Sequence, residues 1–161
     1  MKRILLTAAV ASAILSTGLS RAADTPGSNP SVRSPSVAER IAAARKALDA
    51  KEHSRAMREL QVAVREDPRN ADIHNLLGYT YRTQPQPNLV KSIEHYQTGL
   101  KIDPKHRGLH EYIGQAYLMD KKPAEAEKHL VELEALCGNK TCEEYQELSK
   151  ALVAYRAKNG G

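Results

Sequence analysis

Two cysteines and six histidines are the residues of this 161-residue chain best suited to chemistry. Cys137 and Cys142, the only cysteines, stand in the stretch LEALCGNKTCEEY. That spacing admits a disulfide staple, a redox pair or half of a metal site. A zinc centre needs four ligands, and only His129, two helical turns upstream, joins the cysteines. The Cys-x-x-Cys spacing of a thiol oxidoreductase is absent, although a thiol in the first turn of a helix has a lowered pKa. His106 and His110 read as His-x-x-x-His, but Lys105 and Arg107 flank the first and oppose a cation. No glycine-rich phosphate loop, Gly-x-Ser-x-Gly nucleophile elbow or Cys-x-x-Cys-His haem attachment appears, and no pair of acids stands out from the helix-surface charges. Nothing here supplies a nucleophile with its base, so no enzymatic activity and no cofactor are expected. Asn139-Lys140-Thr141 matches a glycosylation acceptor, which matters only in a eukaryotic secretory route.

The chain opens with Lys2 and Arg3, then an apolar run from Ile4 to about Leu19, then small residues. This is the layout of a cleaved signal peptide, and the run falls short of the roughly 20 residues of a membrane span. Ser20 and Ala22 place small residues at −3 and −1, predicting a cut after Ala22 and a periplasmic or secreted protein. Residues 23–36, including DTPGSNPSVRSPS, read as a flexible Pro/Ser-rich leader. The formal charge of +5 includes Lys2, Arg3 and Arg21; without them 21 basic residues face 19 acidic ones. No concentrated basic face remains, so a nucleic-acid partner is not expected.

Internal periodicity then sets the fold. Aligning Pro68 of REDPRNA with Pro104 of KIDPKHR divides the chain into units 37–70, 71–106 and 107–140, the middle one two residues longer. A large residue followed by a small one recurs at the seventh and eighth places as Leu77-Gly78 and Ile113-Gly114, with Ala43-Ala44 in the first unit. The eleventh place carries Ala47, Tyr81 and Tyr117. In the second half of each unit a small residue (Ala56, Ser92, Ala126) is followed four places on by Leu60, Tyr96 or Leu130, and then by Ala63, Gly99 or Leu133. These positions resemble the tetratricopeptide repeat (TPR), a helix–turn–helix unit of 34 residues. The fourth place, often Trp in that family, is here Arg40, His74 and His110, and the third unit lacks the closing proline. His74 and His110 share a register and are candidate neighbours, and His95 and His129 share another; repeat symmetry accounts for such spacings without chemistry.

The resemblance implies an all-α, right-handed solenoid of three helix pairs. Ser36 and Glu39 predict a capping box, Asn70 a second N-cap, and Pro123 a first helical turn. Residues 141–158 read as a capping helix: Thr141 and Glu144 would box its start, and Tyr145, Leu148, Leu152 and Tyr155 form one apolar face. Between two helices, Cys137 and Cys142 become a structural disulfide in the exported reading. The family's concave groove, carried over by position, includes Arg45, Asn75, Tyr79, Arg82, Glu111, Gln115, Leu118 and Met119. It implies a protein or peptide partner and a monomer or weak homo-oligomer; the alternatives are a redox protein acting through Cys137 and Cys142 and a self-associating structural block of an envelope complex. The carboxylate clamp of chaperone-binding repeats does not carry over: its places hold Ile41, Arg45, Leu76, Gly108 and Tyr112, and Arg45 alone is of a suitable type. The insertion in RTQPQPNLVKS, stiffened by Pro85 and Pro87, falls between the helices of the middle unit and is a candidate edge contact.

Overall fold

The computed structural model describes residues 33–160, so the expected signal peptide and most of the leader lie outside the described residues. Seven helices follow one another: α1 (Val37–Asp49), α2 (His53–Glu66), α3 (Ala71–Thr83), α4 (Leu89–Ile102), α5 (Arg107–Met119), α6 (Pro123–Cys137) and α7 (Glu143–Asn159). No strand occurs among the described residues. The main pairings are α1 with α2, α3 with α4 and α5 with α6, while α7 packs on both α5 and α6. The odd helices also touch in series, α1 to α3 to α5 to α7, whereas α2, α4 and α6 do not touch one another. A stack whose odd helices close up while its even helices splay is curved, with the odd helices on the concave side.

Local chemistry marks the helix ends. Ser36 and Glu39 form the expected reciprocal box, Ser36 N–H donating to the Glu39 carboxylate at 2.7 Å. Asn70, Asn88 and His106 each accept a backbone N–H three residues on with their side chains. Pro123 occupies the first turn of α6. The expected box at α7 does not form. Thr141 turns its hydroxyl and N–H to Asn139 Oδ1 instead, at 2.7 and 2.8 Å, and Cys142 becomes the N-cap without a side-chain bond. The nearer acceptor wins, and the helix starts one residue later.

The turns within the first and third units are tight and share one geometry. Lys51 and Lys121 both take φ of 58°, and Glu52 and Lys122 donate their N–H groups to the Ala47 and Tyr117 carbonyls. The middle unit replaces the left-handed residue with its two-residue insertion, and Asn88 N–H reaches the equivalent Tyr81 carbonyl at 2.9 Å. The insertion thus closes the same turn by a longer path.

Three clusters of buried residues run along the stack. Close helix approach rests on the small residues. A Cβ at Gly78 would lie 2.5 Å from Tyr96 Cε1, and one at Gly114 would lie 2.5 Å from Leu148 Cδ2. Ser92 Oγ donates to the Gly78 carbonyl at 2.8 Å across the same contact. Tyr96, Leu60, Ile73, Leu109, Leu133 and Leu148 are fully buried, each contributing about 1.5–3 kcal/mol of transfer free energy.

Candidate functional site

The eight sequence-predicted groove residues do not form one cluster; the concave row carries two hollows. The first, about 460 Å³, is bounded by Arg45, Asp72, Asn75, Tyr79, His106 and Tyr112 from α1, α3 and the start of α5. It is internally neutralised. Arg45 lies 3.5 Å from Asp72 Oδ1, and His106 Nε2 donates to the same oxygen at 3.2 Å. The direction of that bond follows from His106 Nδ1, which accepts the Leu109 N–H. Asn75 is buried here, and its Oδ1 has no hydrogen-bond partner among the described residues. Gly108 leaves the amide room: a Cβ there would lie 3.3 Å from Asn75 Nδ2.

The second hollow, about 490 Å³, lies between the ends of α3 and α5 and the outer half of α7. It receives Arg82, Gln115, Leu118 and Met119 of the predicted set. Glu111 borders neither hollow directly; Gln115 Nε2 donates to its Oε1 at 2.8 Å. Burial pushes the Glu111 carboxyl up to about 7, with Arg82 opposing the shift and Glu144, Glu147 and Glu143 adding to it.

An aromatic step separates the hollows. The Tyr79 and Tyr112 rings lie 5.2 Å apart, and the Arg82 guanidinium carbon sits 5.3 and 5.5 Å from their centroids. Arg82 Nε donates to the Tyr96 hydroxyl at 3.4 Å. Burial holds that phenol at about 12, Arg82 opposing, so Tyr96 is a neutral anchor that fixes the guanidinium in place. Sequence reasoning missed Tyr112 as a groove residue, along with Lys121, Tyr155 and Lys158 of the second hollow. The signal for the last two was available: Ala151, Tyr155 and Lys158 recur at helical spacing on α7, but a helix read only as a lid had no groove face assigned to it.

No protein-family model and no curated protein matches this chain. Solved structures do. The type III secretion translocator chaperone SycD of Yersinia enterocolitica superposes with a TM-score of 0.66 at 21% identity, covering 81% of this chain and 99% of SycD. The Thermus thermophilus TPR protein TTC0263 superposes with a TM-score of 0.65 at 19% identity, over 78% of this chain and 66% of that one. This chain has a TPR-type fold. A further SycD structure, in complex with a peptide of the translocator YopD, matches with a TM-score of 0.64 at 21% identity, over 80% of this chain and 98% of that one.

Against the TPR pattern, the departure at the fourth place now has a structural account. In all three units that residue reaches across to the twenty-third place on the paired helix. Arg40 donates to Glu59 at 3.0 Å in the first unit. His74 meets His95 (Nδ1 to Nδ1, 3.2 Å) in the second, and His110 meets His129 (3.0 Å) in the third. His74 and His110 are therefore not neighbours of each other; each finds its partner within its own helix pair. His74 Nε2 lies 3.0 Å from the Pro68 carbonyl and His110 Nε2 lies 2.9 Å from that of Pro104. A carbonyl only accepts, so Nε2 carries the proton, and Nδ1 of the neutral ring must accept from His95 or His129. Tyr81 stacks on His95 and Tyr117 on His129, at interplanar angles of 11° and 15°. Two histidines without a third ligand form a hydrogen-bonded seam.

The cysteines form a disulfide, with Cα atoms 6.2 Å apart, that joins the end of α6 to the start of α7. Gly138 leaves α6 in the left-handed conformation at φ 69°. So short a closed loop contributes about 2 kcal/mol in the chain-entropy account. Glu144 lies beside the two sulfurs, but with both sulfurs committed to the bond no thiolate remains to hold a metal. The insertion borders a separate hollow of about 580 Å³ with Met57, Arg58 and Pro85, on the side of α2 and away from the concave row.

Proposed function

We propose that this protein is an exported, non-catalytic adaptor that holds a segment of another protein in its concave groove. The observation that carries this reading is the continuous row of odd helices with two hollows meeting at the Tyr79–Arg82–Tyr112 step. Tyr and Arg are the residue types most enriched where binding energy concentrates. Their fixed geometry means that little side-chain ordering is lost on binding. The peptide complex of SycD lends the reading support from a chain of the same fold. Export rests on the basic start, apolar run and small-residue exit of residues 1–22, and the disulfide suits an oxidising compartment. The groove's partner is a protein or peptide, and the adaptor itself is a monomer or weak homo-oligomer.

The test is affinity capture after crosslinking in the native compartment, comparing the natural chain with Tyr79→Ala/Arg82→Ala. A partner recovered with the first and lost with the second, at unchanged helix content, is the expected result. Equal recovery from both would end the groove assignment. N-terminal sequencing of the protein from fractionated cells checks the cut after Ala22.

A further inference from the structure

The two hollows differ in charge, and the difference specifies a partner. The first holds Asp72, with Asp49 and Glu144 at its edge; Asp72 pairs with Arg45 and His106, and Glu144 with Arg107. The second has an apolar floor of Leu118, Met119 and Tyr155 and a rim of Arg82, Lys121 and Lys158, with no carboxylate among its lining residues. No ion pair to any of the three rim cations exists among the described residues, although ion pairs occur elsewhere along the stack. Even Lys122, next to Lys121, pairs with Asp120 at 2.6 Å and leaves its neighbour unmatched. Glu111, the acid nearest Arg82, is pushed up to about 7 by burial and neutralises the guanidinium only in part. Met119 is 45% exposed, an adaptable apolar surface in contact with nothing that would cover it.

Resting on the groove reading above, we propose that the second hollow takes an acidic, apolar peptide segment. One large apolar side chain seats on Leu118, Met119 and Tyr155, and flanking carboxylates meet Arg82, Lys121 and Lys158. The size suits this occupant, since hollows of a few hundred Å³ hold drug-sized groups or one to two large side chains. Arg82 is the anchor. Its guanidinium is held beside two tyrosine rings and by the Tyr96 hydroxyl, and its terminal nitrogens remain available for the bidentate geometry a carboxylate prefers. The two lysines supply long-range attraction that salt will screen. The polarity also sets direction, because the acidic stretch must lie toward α7 and the less charged stretch toward α1.

Fluorescence anisotropy with the full chain tests this, using three labelled peptides of identical Leu and Tyr anchors whose spacers are all Glu, all Gln or all Lys. The Glu peptide should bind about tenfold or more tighter than the Gln peptide at low ionic strength, and the Lys peptide weakest. The gap should shrink as salt rises. Lys121→Asn/Lys158→Glu should narrow the gap between the Glu and Gln peptides severalfold, leaving the part of the preference that Arg82 sustains. Asn suits the left-handed backbone at position 121, and Lys158→Gln serves as a second variant should reversal in the last turn of α7 fray the helix. Equal affinities for the three peptides, or a Glu preference undiminished in the lysine variants, would overturn the inference. So would sedimentation showing a second copy of the chain occupying the hollow in competition with the Glu peptide. Absent peptide binding alongside capture that still depends on Tyr79 and Arg82 would remove the charge inference and leave the groove reading standing. Capture indifferent to Tyr79 and Arg82 would remove the groove reading itself.

Discussion

The seam between paired helices and the concave row are built from the same residue types, and they treat polar atoms in opposite ways. Along the seam, Arg40, His74 and His110 each find a partner on the facing helix, and the two histidines find a backbone carbonyl as well. In the row, Arg82, Lys121 and Lys158 form no ion pair among the described residues, and Asn75 Oδ1 is buried without a hydrogen-bond partner, as Arg40 Nε is on the seam. The seam side chains thus meet groups of this chain, whereas the three groove cations are left for something outside it. A histidine in this protein therefore reads as structure, and an arginine at the groove step reads as function.

The largest effect this division predicts is loss of stability from the seam without loss of binding. His110→Ala strips the Pro104 carbonyl and the His129 ring of their partner and leaves a void in a residue only 7% exposed. About 2–4 kcal/mol should disappear in urea unfolding, with partner capture intact in the fraction that remains folded. Tyr79→Ala should do the reverse, costing less stability than His110→Ala while weakening capture. If the two variants exchange roles, the division between seam and row is wrong.

Sequence and structure agree where repetition made the physics redundant. Leu77-Gly78 and Ile113-Gly114 announced close helix approach, and the Gly78–Tyr96 and Gly114–Leu148 contacts are that approach. The caps at Ser36, Asn70 and Pro123 were local and followed local rules. What stayed hidden depended on distance in the chain. The histidines shared registers, but only the pairing of helices decided that position four meets position twenty-three and not its own copy one unit on. The box at Thr141 failed because a nearer acceptor, Asn139 Oδ1, takes the Thr141 N–H that Glu144 would have capped. The second hollow was invisible as such because it needs α7 to be both lid and wall, and single-helix periodicity describes only the buried side.

The seam should also respond to acid in its second and third units. Burial and the facing histidine hold His95 and His129 down to about 4, against 6.5 in the unfolded chain. Lys91 pushes His95 further down and Lys128 does the same for His129, while Glu94 and Glu125 act the other way. Between pH 6.5 and 4 the unfolded state thus binds more protons, and stability falls as pH falls through that window. Allowing for solvent screening at half-buried rings, each site contributes about 1–2 kcal/mol of the loss. The Arg40–Glu59 seam has no histidine and should not share it. Unfolding free energies measured every half pH unit should slope less steeply in His95→Leu or His129→Leu than in the natural chain; unchanged slopes would assign the acid sensitivity elsewhere.

The smallest effect, and the sharpest test of the contrast, is the groove's own titration, because its sign is opposite. Burial raises the Glu111 carboxyl from 4.5 to about 7, so its contribution is fully present below pH 4.5 and is lost as pH rises through 7. Glu111→Gln removes that loss and keeps an acceptor for the Gln115 amide. The variant should therefore be more stable than the natural chain at pH 8 by about 1 kcal/mol after screening, and no more stable at pH 5. Binding gives the same contrast a second reading. Ionised Glu111 competes for Arg82 with any carboxylate a partner brings, so capture should weaken between pH 6 and 8 in the natural chain and stay level in Glu111→Gln. The seam loses strength on acidification while the groove gains it, so pH 5 and pH 8 distinguish the two regions in one protein sample.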